Sequence, residues 1–339
     1  MKIDKITINE YDKGFINETN LGKTKFLSRY GWYIKIYSGT LCGIGEAAPI
    51  PGISSETHEE VGYALNGFKL SLQNVDYDID LEELLLLSDI HGFNINSSKF
   101  AIECAIYDLF SKYENKSIAE YIEPNFIPEI NINAIYSNRS TILPTDVNIL
   151  KIKINNKNVF DIIEKVDMIV SCYNDDIKLR LDFNEGLDLA RSIRVCKQLE
   201  SYNIDYIEQP LSRLNIHDYY DLRMSVDMPI GLDESVTDYQ SVVELIDEGA
   251  VDVLVVKPTI TGSLKDIKNI LDLSNQEKIR LVISSSFETS IAQNYICNLI
   301  AAFGIKEHCG VHNIKLFKKD SIPILHKDQI RIPIEIGNS

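Results

Sequence analysis

Leu150-Lys151-Ile152-Lys153, Leu179-Arg180-Leu181-Asp182, Tyr206-Ile207-Glu208, Ile230-Gly231-Leu232-Asp233 and Val255-Val256-Lys257 share one pattern, a short apolar run that ends on a charge. From Lys153 the terminal charges follow at steps of 29, 26, 25 and 24 residues. Each step is about one strand plus one helix. That rhythm predicts successive parallel strands with the charged groups at their C-terminal ends, where a (β/α) barrel keeps its chemistry.

Residues two apart in a strand share a face. Lys151 and Lys153 therefore point the same way, as do Arg180, Asp182 and Asn184, while Ile152, Leu179, Leu181 and Phe183 face covering helices. A lone Asp at a strand end is ordinarily a solvated residue. Five charges in register are different, because ionised groups inside a barrel are costly to bury unless paired or metal-bound. Arg180 is expected to pair with carboxylates in the barrel interior.

Outward from the ladder, the pattern predicts strands at 131–136, 149–154, 178–182, 205–208, 229–232, 252–257, 280–284 and 309–312. Helical periodicity fills 158–172, 187–202, 215–225, 238–248, 264–275 and 290–303, while the gap between the first two strands is too short for a full helix. Eight short apolar strands covered by helices suit a closed barrel. Residues 129–314 are read as this barrel. Residues 1–128 read as an α+β domain, with strands near 3–9, 31–38 and 43–47 and helices near 57–73, 80–88 and 97–113. The tail, 315–339, is expected to return to that first domain through the strand-like stretch Ile330–Ile336.

The 339 residues carry a formal charge of −16, which excludes a nucleic-acid backbone as partner and disfavours an anionic membrane surface. An apolar fraction of 45% and a charged fraction of 25% are ordinary for a soluble globular protein. The N-terminal stretch has no apolar signal region, and no apolar run reaches the ~20 residues of a spanning helix. Six scattered cysteines without a CxxC pair read as reduced thiols, so a cytoplasmic location is expected.

Asp182, Glu208 and Asp233, with no His or Cys nearby, form a hard, oxygen-rich set that selects Mg²⁺ or Mn²⁺. One divalent cation and up to three ammonium groups, from Lys151, Lys153 and Lys257, leave the pocket positive, so an anionic carboxylate substrate is expected. A lysine acts as base only when its pKa falls well below ~10.4, and a second ammonium beside a metal pushes it down. The predicted chemistry is removal of a proton α to a carboxylate.

Taken together, Lys151-Ile152-Lys153, Asp182-Phe183-Asn184, Glu208-Gln209-Pro210, Asp233-Glu234-Ser235 and Lys257-Pro258 resemble the enolase superfamily, specifically its muconate-lactonising-enzyme subgroup. The resemblance spans the chain, including the Gly45-Glu46-Ala47-Ala48-Pro49-Ile50-Pro51-Gly52 loop. It implies an α/β fold, a modified TIM-type (β/α)7β barrel under an N-terminal α+β capping domain. Sites of that superfamily use a Lys or His base with Mg²⁺. The Lys257-Pro258-Thr259, Gly262-Ser263 and Ser284-Ser285-Ser286-Phe287-Glu288-Thr289-Ser290 segments look like those of the o-succinylbenzoate synthases of menaquinone biosynthesis, enzymes that dehydrate a cyclohexadiene carboxylate.

That resemblance implies roles. Lys153 would abstract the proton, Lys257 would stabilise the intermediate from the opposite face, and Lys151 would tune Lys153 and touch the substrate carboxylate. Asp182, Glu208 and Asp233 would hold the metal. Asn184, Gly262, Ser263, Ser284, Ser285 and Ser286 would receive the rest of the substrate, and the Pro49–Ser54 loop would close over it. His312 is expected to pack rather than to ligate. Phe183 stands where the subgroup commonly has a small residue, so local repacking is expected.

Two other readings use the same residues. One is an N-acylamino acid racemase or a dipeptide epimerase, although Cys309-Gly310-Val311-His312-Asn313 lacks the acids with which dipeptide epimerases hold an amine. The other is a non-catalytic binding relative, which retention of all five charges disfavours. A homo-oligomer is compatible with either.

Overall fold

The computed structural model describes residues 1–21, 24–136, 147–155, 158–173, 177–311, 316–317, 325–326 and 329–332. The chain opens with an antiparallel sheet of β1 (Lys5–Leu21), β2 (Thr24–Ser38) and β3 (Leu41–Ala47), in that order. Three helices follow, α1 (His58–Ser71), α2 (Leu81–His91) and α3 (Asn96–Tyr113). Thr57 and Asp80 cap the first two through side-chain bonds to Glu60 and Glu83 amides. The first hairpin is much longer than its alternation predicts. Beyond Ile8 the apolar residues thin out, with Tyr11, Phe15 and Ile16 set among polar neighbours, so period alone does not mark the strand.

Helix α3 lies directly on β3 because two glycines leave room. A Cβ at Gly43 would sit 2.0 Å from the Ala105 carbonyl oxygen, and one at Gly45 would sit 1.9 Å from that of Ala101. Val61, Leu65, Phe68, Ile102 and Leu109 fill the core between helices and sheet.

After a short α4 (Ile118–Ile122) come β4 (Glu129–Asn131) and β5 (Ala134–Ile135). The strand–helix alternation then begins with β6 (Ile149–Lys153), α5 (Val159–Val170), β7 (Lys178–Asp182), α6 (Leu189–Leu199), β8 (Ile204–Glu208) and α7 (Ile216–Ser225). It continues through β9 (Ile230–Leu232), α8 (Tyr239–Asp247), β10 (Val253–Val256), α9 (Pro258–Thr261), α10 (Leu264–Gln276), β11 (Arg280–Ile283) and α11 (Ser290–Ala302). Strands β5 to β11 form one parallel sheet in sequence order. Parallel bridges from Ser284 to Gly310 and from Cys309 to Ile132 close the sheet on itself.

The predicted strand 131–136 is split. Its first part, β4, pairs antiparallel with β13 (Gln329–Arg331), which also pairs with β12 (Leu325–His326), while β5 joins the barrel. Phe317 bridges Phe15 of β1. His312 and most of the tail lie outside the described residues.

Arg180 fills the barrel floor, as its strand phase predicts. It is fully buried, donating from Nε to Asp205 Oδ2 at 2.7 Å and from Nη1 to the His308 carbonyl at 2.5 Å. Its guanidinium stacks 4.8 Å from the centre of the Tyr206 ring. Above it Tyr206, Val253, Val255 and Val282 form an apolar layer. Phe183 points outward into the helix-covered core. All six cysteines are free, and among the described residues no helix is long and apolar enough to cross a membrane.

Candidate active site

The apolar layer inside the barrel ends where the charges begin. Parallel register pairs Lys151 with Arg180, Lys153 with Asp182 and Asp182 with Glu208, which brings the ends of β6, β7 and β8 level. A cleft of about 60 Å³ opens at this C-terminal face. Its lining includes Lys151, Lys153, Asp182, Asn184, Asp233, Glu234, Lys257 and Ser284 to Ser286, together with Ile50, Ile53 and Phe287. Thus all three lysines and two of the three predicted metal ligands reach one cavity. Glu208, fully buried, meets it through Lys151.

Charges inside are paired. Lys151 Nζ lies 3.0 Å from Asp182 Oδ2 and 2.6 Å from Glu208 Oε1, and Lys257 Nζ donates to Asp233 Oδ2 at 2.7 Å. Burial works against both ammonium groups. The carboxylates outweigh it and hold Lys151 and Lys257 above the usual lysine range, Asp182 and Glu208 for the first, Asp233 and Glu234 for the second. Burial raises Glu208, whereas Asp182 is lowered because Lys151 and Lys153 overcome its burial. Lys153 instead faces the Phe287 ring, 5.6 Å from its centre.

Among the described residues no three acidic, His or Cys side chains converge as ready-made ligands. The reason is electrostatic, since bare carboxylates repel and the lysine ammonium groups take the space between them. Two features nevertheless fit a hard cation. The donor set is all oxygen, and Glu208 Oε2 and Glu234 Oε2 are buried without a hydrogen-bond partner. Orphaned buried oxygens of this kind call for a cation or ordered water.

Support for the acids comes from neighbours that spacing alone did not single out. Gln209 is fully buried; its Oε1 accepts from the Asp233 amide at 2.9 Å, and its Nε2 donates to Tyr219 and Ser235 hydroxyls at 2.8 Å each. Glu234 accepts from Asn184 Nδ2 at 2.9 Å, and burial followed by the adjacent Asp233 charge raises its pKa. Asn184, Glu185, Gln209 and Phe287 all have positive φ, between 39° and 63°, at the strand mouths. Each costs on the order of 1–2 kcal/mol, and such backbone strain clusters where function over-determines the structure.

The predicted substrate residues separate. Asn184 and the three serines line the cleft, but the Ser286 hydroxyl is engaged with Glu288 at 2.7 Å. Gly262 and Ser263 do not line it. Ser263 is the N-cap of α10, hydrogen-bonded to Asp266 at 2.6 Å, and Gly262 ends α9 against Asn96. The loop expected to close over the site does reach it, through Ile50 and Ile53. Arg29 anchors that loop through the carbonyls of Ala48 and Pro49, the latter at 2.8 Å.

Known proteins with related sequences and folds place this geometry. Residues 143–331 match the family described as enolase C-terminal domain-like. A hydrophobic dipeptide epimerase of Enterococcus faecalis is 26% identical over 279 residues, 77% of this chain and 76% of the relative. An N-succinyl-L-Arg/Lys racemase of Bacillus cereus is 20% identical over 264 residues, 75% and 71% of the two chains. The crystal structure of the dipeptide epimerase from Enterococcus faecalis V583, complexed with Mg and the dipeptide L-Leu-L-Tyr, superposes with a TM-score of 0.85 at 20% identity, covering 99% of each chain. A capping domain above a curled parallel sheet is the fold they share. Since the family match covers more than half of its length, the chain belongs to the enolase C-terminal domain-like family.

Proposed function

We propose that this protein inverts the configuration of a carbon α to a carboxylate, as a racemase or epimerase of amino-acid derivatives. One observation carries the reading: Lys153 and Lys257 reach the same cleft from the ends of β6 and β10, with three acid-bearing strands between them. Two lysines on opposite sides of one carbon can take a proton from one face and return another to the opposite face. In that scheme Lys153 removes the α proton. Lys257, held as an ammonium by Asp233, donates on the far side, and the roles reverse for the other enantiomer.

Asp182, Glu208 and Asp233 would hold a divalent cation, for which Mg²⁺ is the proposed metal; the relative of known structure was crystallised with Mg. Bound there, it would supply electrostatic stabilisation of the charge that develops on the substrate carboxylate. Lys151 bridges Asp182 and Glu208 and would orient that carboxylate.

The relatives named above are epimerases and a racemase, which favours inversion over dehydration. Between the two, an N-acylamino acid fits better than a free dipeptide. The described part of the eighth segment, Cys309-Gly310-Val311, offers no carboxylate to an ammonium. A dehydration of the o-succinylbenzoate type is the second reading, supported by the serines along the cleft.

The test is incubation with Mg²⁺ in D₂O with N-acetyl and N-succinyl L-amino acids, following the α proton by NMR and the optical rotation. Exchange with inversion is expected. Turnover of the cyclohexadiene carboxylate alone, with no exchange of any amino-acid derivative, would overturn inversion in favour of dehydration.

A further inference from the structure

We infer that Phe287 and the Ile50–Ile53 turn form an apolar roof which selects substrates whose arm beyond the α carbon is aliphatic or aromatic. The inference rests on the proton-transfer reading for where the carboxylate end lies, and it adds the chemistry of the other end.

The first observation is backbone. Phe287 has φ 63°, a left-handed conformation in which glycine is at ease and a bulky side chain is a true outlier. A ring at such a position persists only when its surroundings hold it there. They do. Ser286 donates its amide to both oxygens of Glu288, at 2.9 and 2.8 Å, and the Thr259 hydroxyl donates to the same carboxylate at 2.6 Å. Next in sequence, the Thr289 amide and hydroxyl donate to Glu46 at 2.9 and 2.7 Å. Both carboxylates are fully buried. The turn is fixed from the barrel on one side and from the capping sheet on the other.

The second observation is direction. So held, the ring lies over Lys153 and packs with Ile50, Ile53, Ile260 and Phe26. The opposing turn is itself closed by Ile53 and Ser54 amides donating to the Ile50 carbonyl at 3.0 and 2.9 Å. Polarity in the cleft is therefore divided. Lys151, Lys153, Lys257, Asp182, Asp233 and Glu234 make a charged floor, whereas the roof offers rings and branched aliphatic chains. A charged arm lodged under that roof would lose its hydration and find no partner. An apolar arm would gain by leaving water.

The experiment is isothermal titration of the full chain in Mg²⁺ buffer with four probes, N-acetyl-L-phenylalanine, N-acetyl-L-leucine, N-acetyl-L-glutamate and N-acetyl-L-lysine. The two apolar probes are expected to bind at least about tenfold more tightly than the two charged ones. In Phe287→Gly the backbone keeps a conformation that glycine adopts freely, so the melting temperature should hold within a few degrees while that preference collapses. Phe287→Leu should restore part of it. Equal binding of all four probes by the wild-type chain, binding of none, or an unchanged preference in Phe287→Gly overturns the roof. A preserved apolar preference with no α-proton exchange would sink the proton-transfer reading and leave the roof standing. Exchange that favours the charged arms would do the reverse.

Discussion

The Lys151 ammonium is bonded to Glu208 at 2.6 Å, yet the other oxygen of that carboxylate is buried without a partner. Lys257 holds Asp233 on the far side of the cleft, reaching both of its oxygens. The two lysines thus neutralise the acids from both flanks and leave lone pairs unspent. A group satisfied by half is costly in a low-dielectric interior. The arrangement is that of a site completed by something cationic.

Mg²⁺ should therefore stabilise the fold. A ligand at a hundredfold its Kd that binds only the native state adds about 2.7 kcal/mol. Thermal melts with Mg²⁺ and with EDTA read this directly. Glu208→Gln keeps the shape and the Lys151 contact but removes a charge, and it should lose most of the Mg²⁺-induced shift. An unaltered shift in that variant would remove Glu208 from the ligand set.

The two lysines should be separable by isotope. If they serve opposite faces of one carbon, Lys257→Ala will lose inversion yet still exchange the α proton of one enantiomer with D₂O, and Lys153→Ala will do so only for the other. Inversion should fall by about 10²–10⁴-fold in either variant, the usual contribution of a positioned acid or base. Loss of exchange for both enantiomers in both variants would argue against independent bases.

The ladder was legible because each charge terminates an apolar run, and the parallel pairing of β6 to β10 followed from its rhythm. Arg180 could be placed because strand phase fixes its face, and it lies against Asp205. Other features left no local mark. In the first hairpin the apolar residues thin out beyond Ile8, so clear alternation ends before the strands do. Ser263 looked like a substrate contact because Gly-Ser at a strand end serves binding and capping equally, and here it caps α10. Glu234 and Gln209 stood inside quoted motifs, but their roles depend on contacts across strands. The positive φ of Phe287 was invisible, since phenylalanine gives no signal of it.

Glu46 ties the capping sheet to α11, and its removal should be severe. Its carboxylate accepts from Tyr11 Oη at 2.5 Å, from the amide and hydroxyl of Thr289, and from the Ala292 amide at 3.2 Å. Glu46→Ala leaves these donors unsatisfied at about 1–3 kcal/mol each. A loss of at least about 3 kcal/mol is expected in urea unfolding, with Glu46→Gln milder because it keeps one acceptor oxygen. A loss below about 1 kcal/mol in the alanine variant would show that the tie is dispensable.

Glu103 should make stability fall as pH rises. Burial pushes this α3 carboxyl from 4.5 up to about 8, against the opposing pull of the Leu264 amide and Lys99. A folded pKa above the unfolded one means that the native state holds the proton more tightly. The stabilisation it gives is complete below about 4.5 and drains away as pH climbs through about 8. Glu103→Gln retains an acceptor for the Leu264 amide, which bonds Glu103 at 2.7 Å, and cannot ionise. Urea midpoints measured from pH 5 to pH 9 should therefore decline less for the variant, with the gap widening toward the alkaline end. Asp89, Asp266 and Lys99 stand beside the site in both proteins, so only the difference between the two curves reports on Glu103. Parallel curves across that range would mean that Glu103 is already ionised in the native state and satisfied by Leu264 and Lys99.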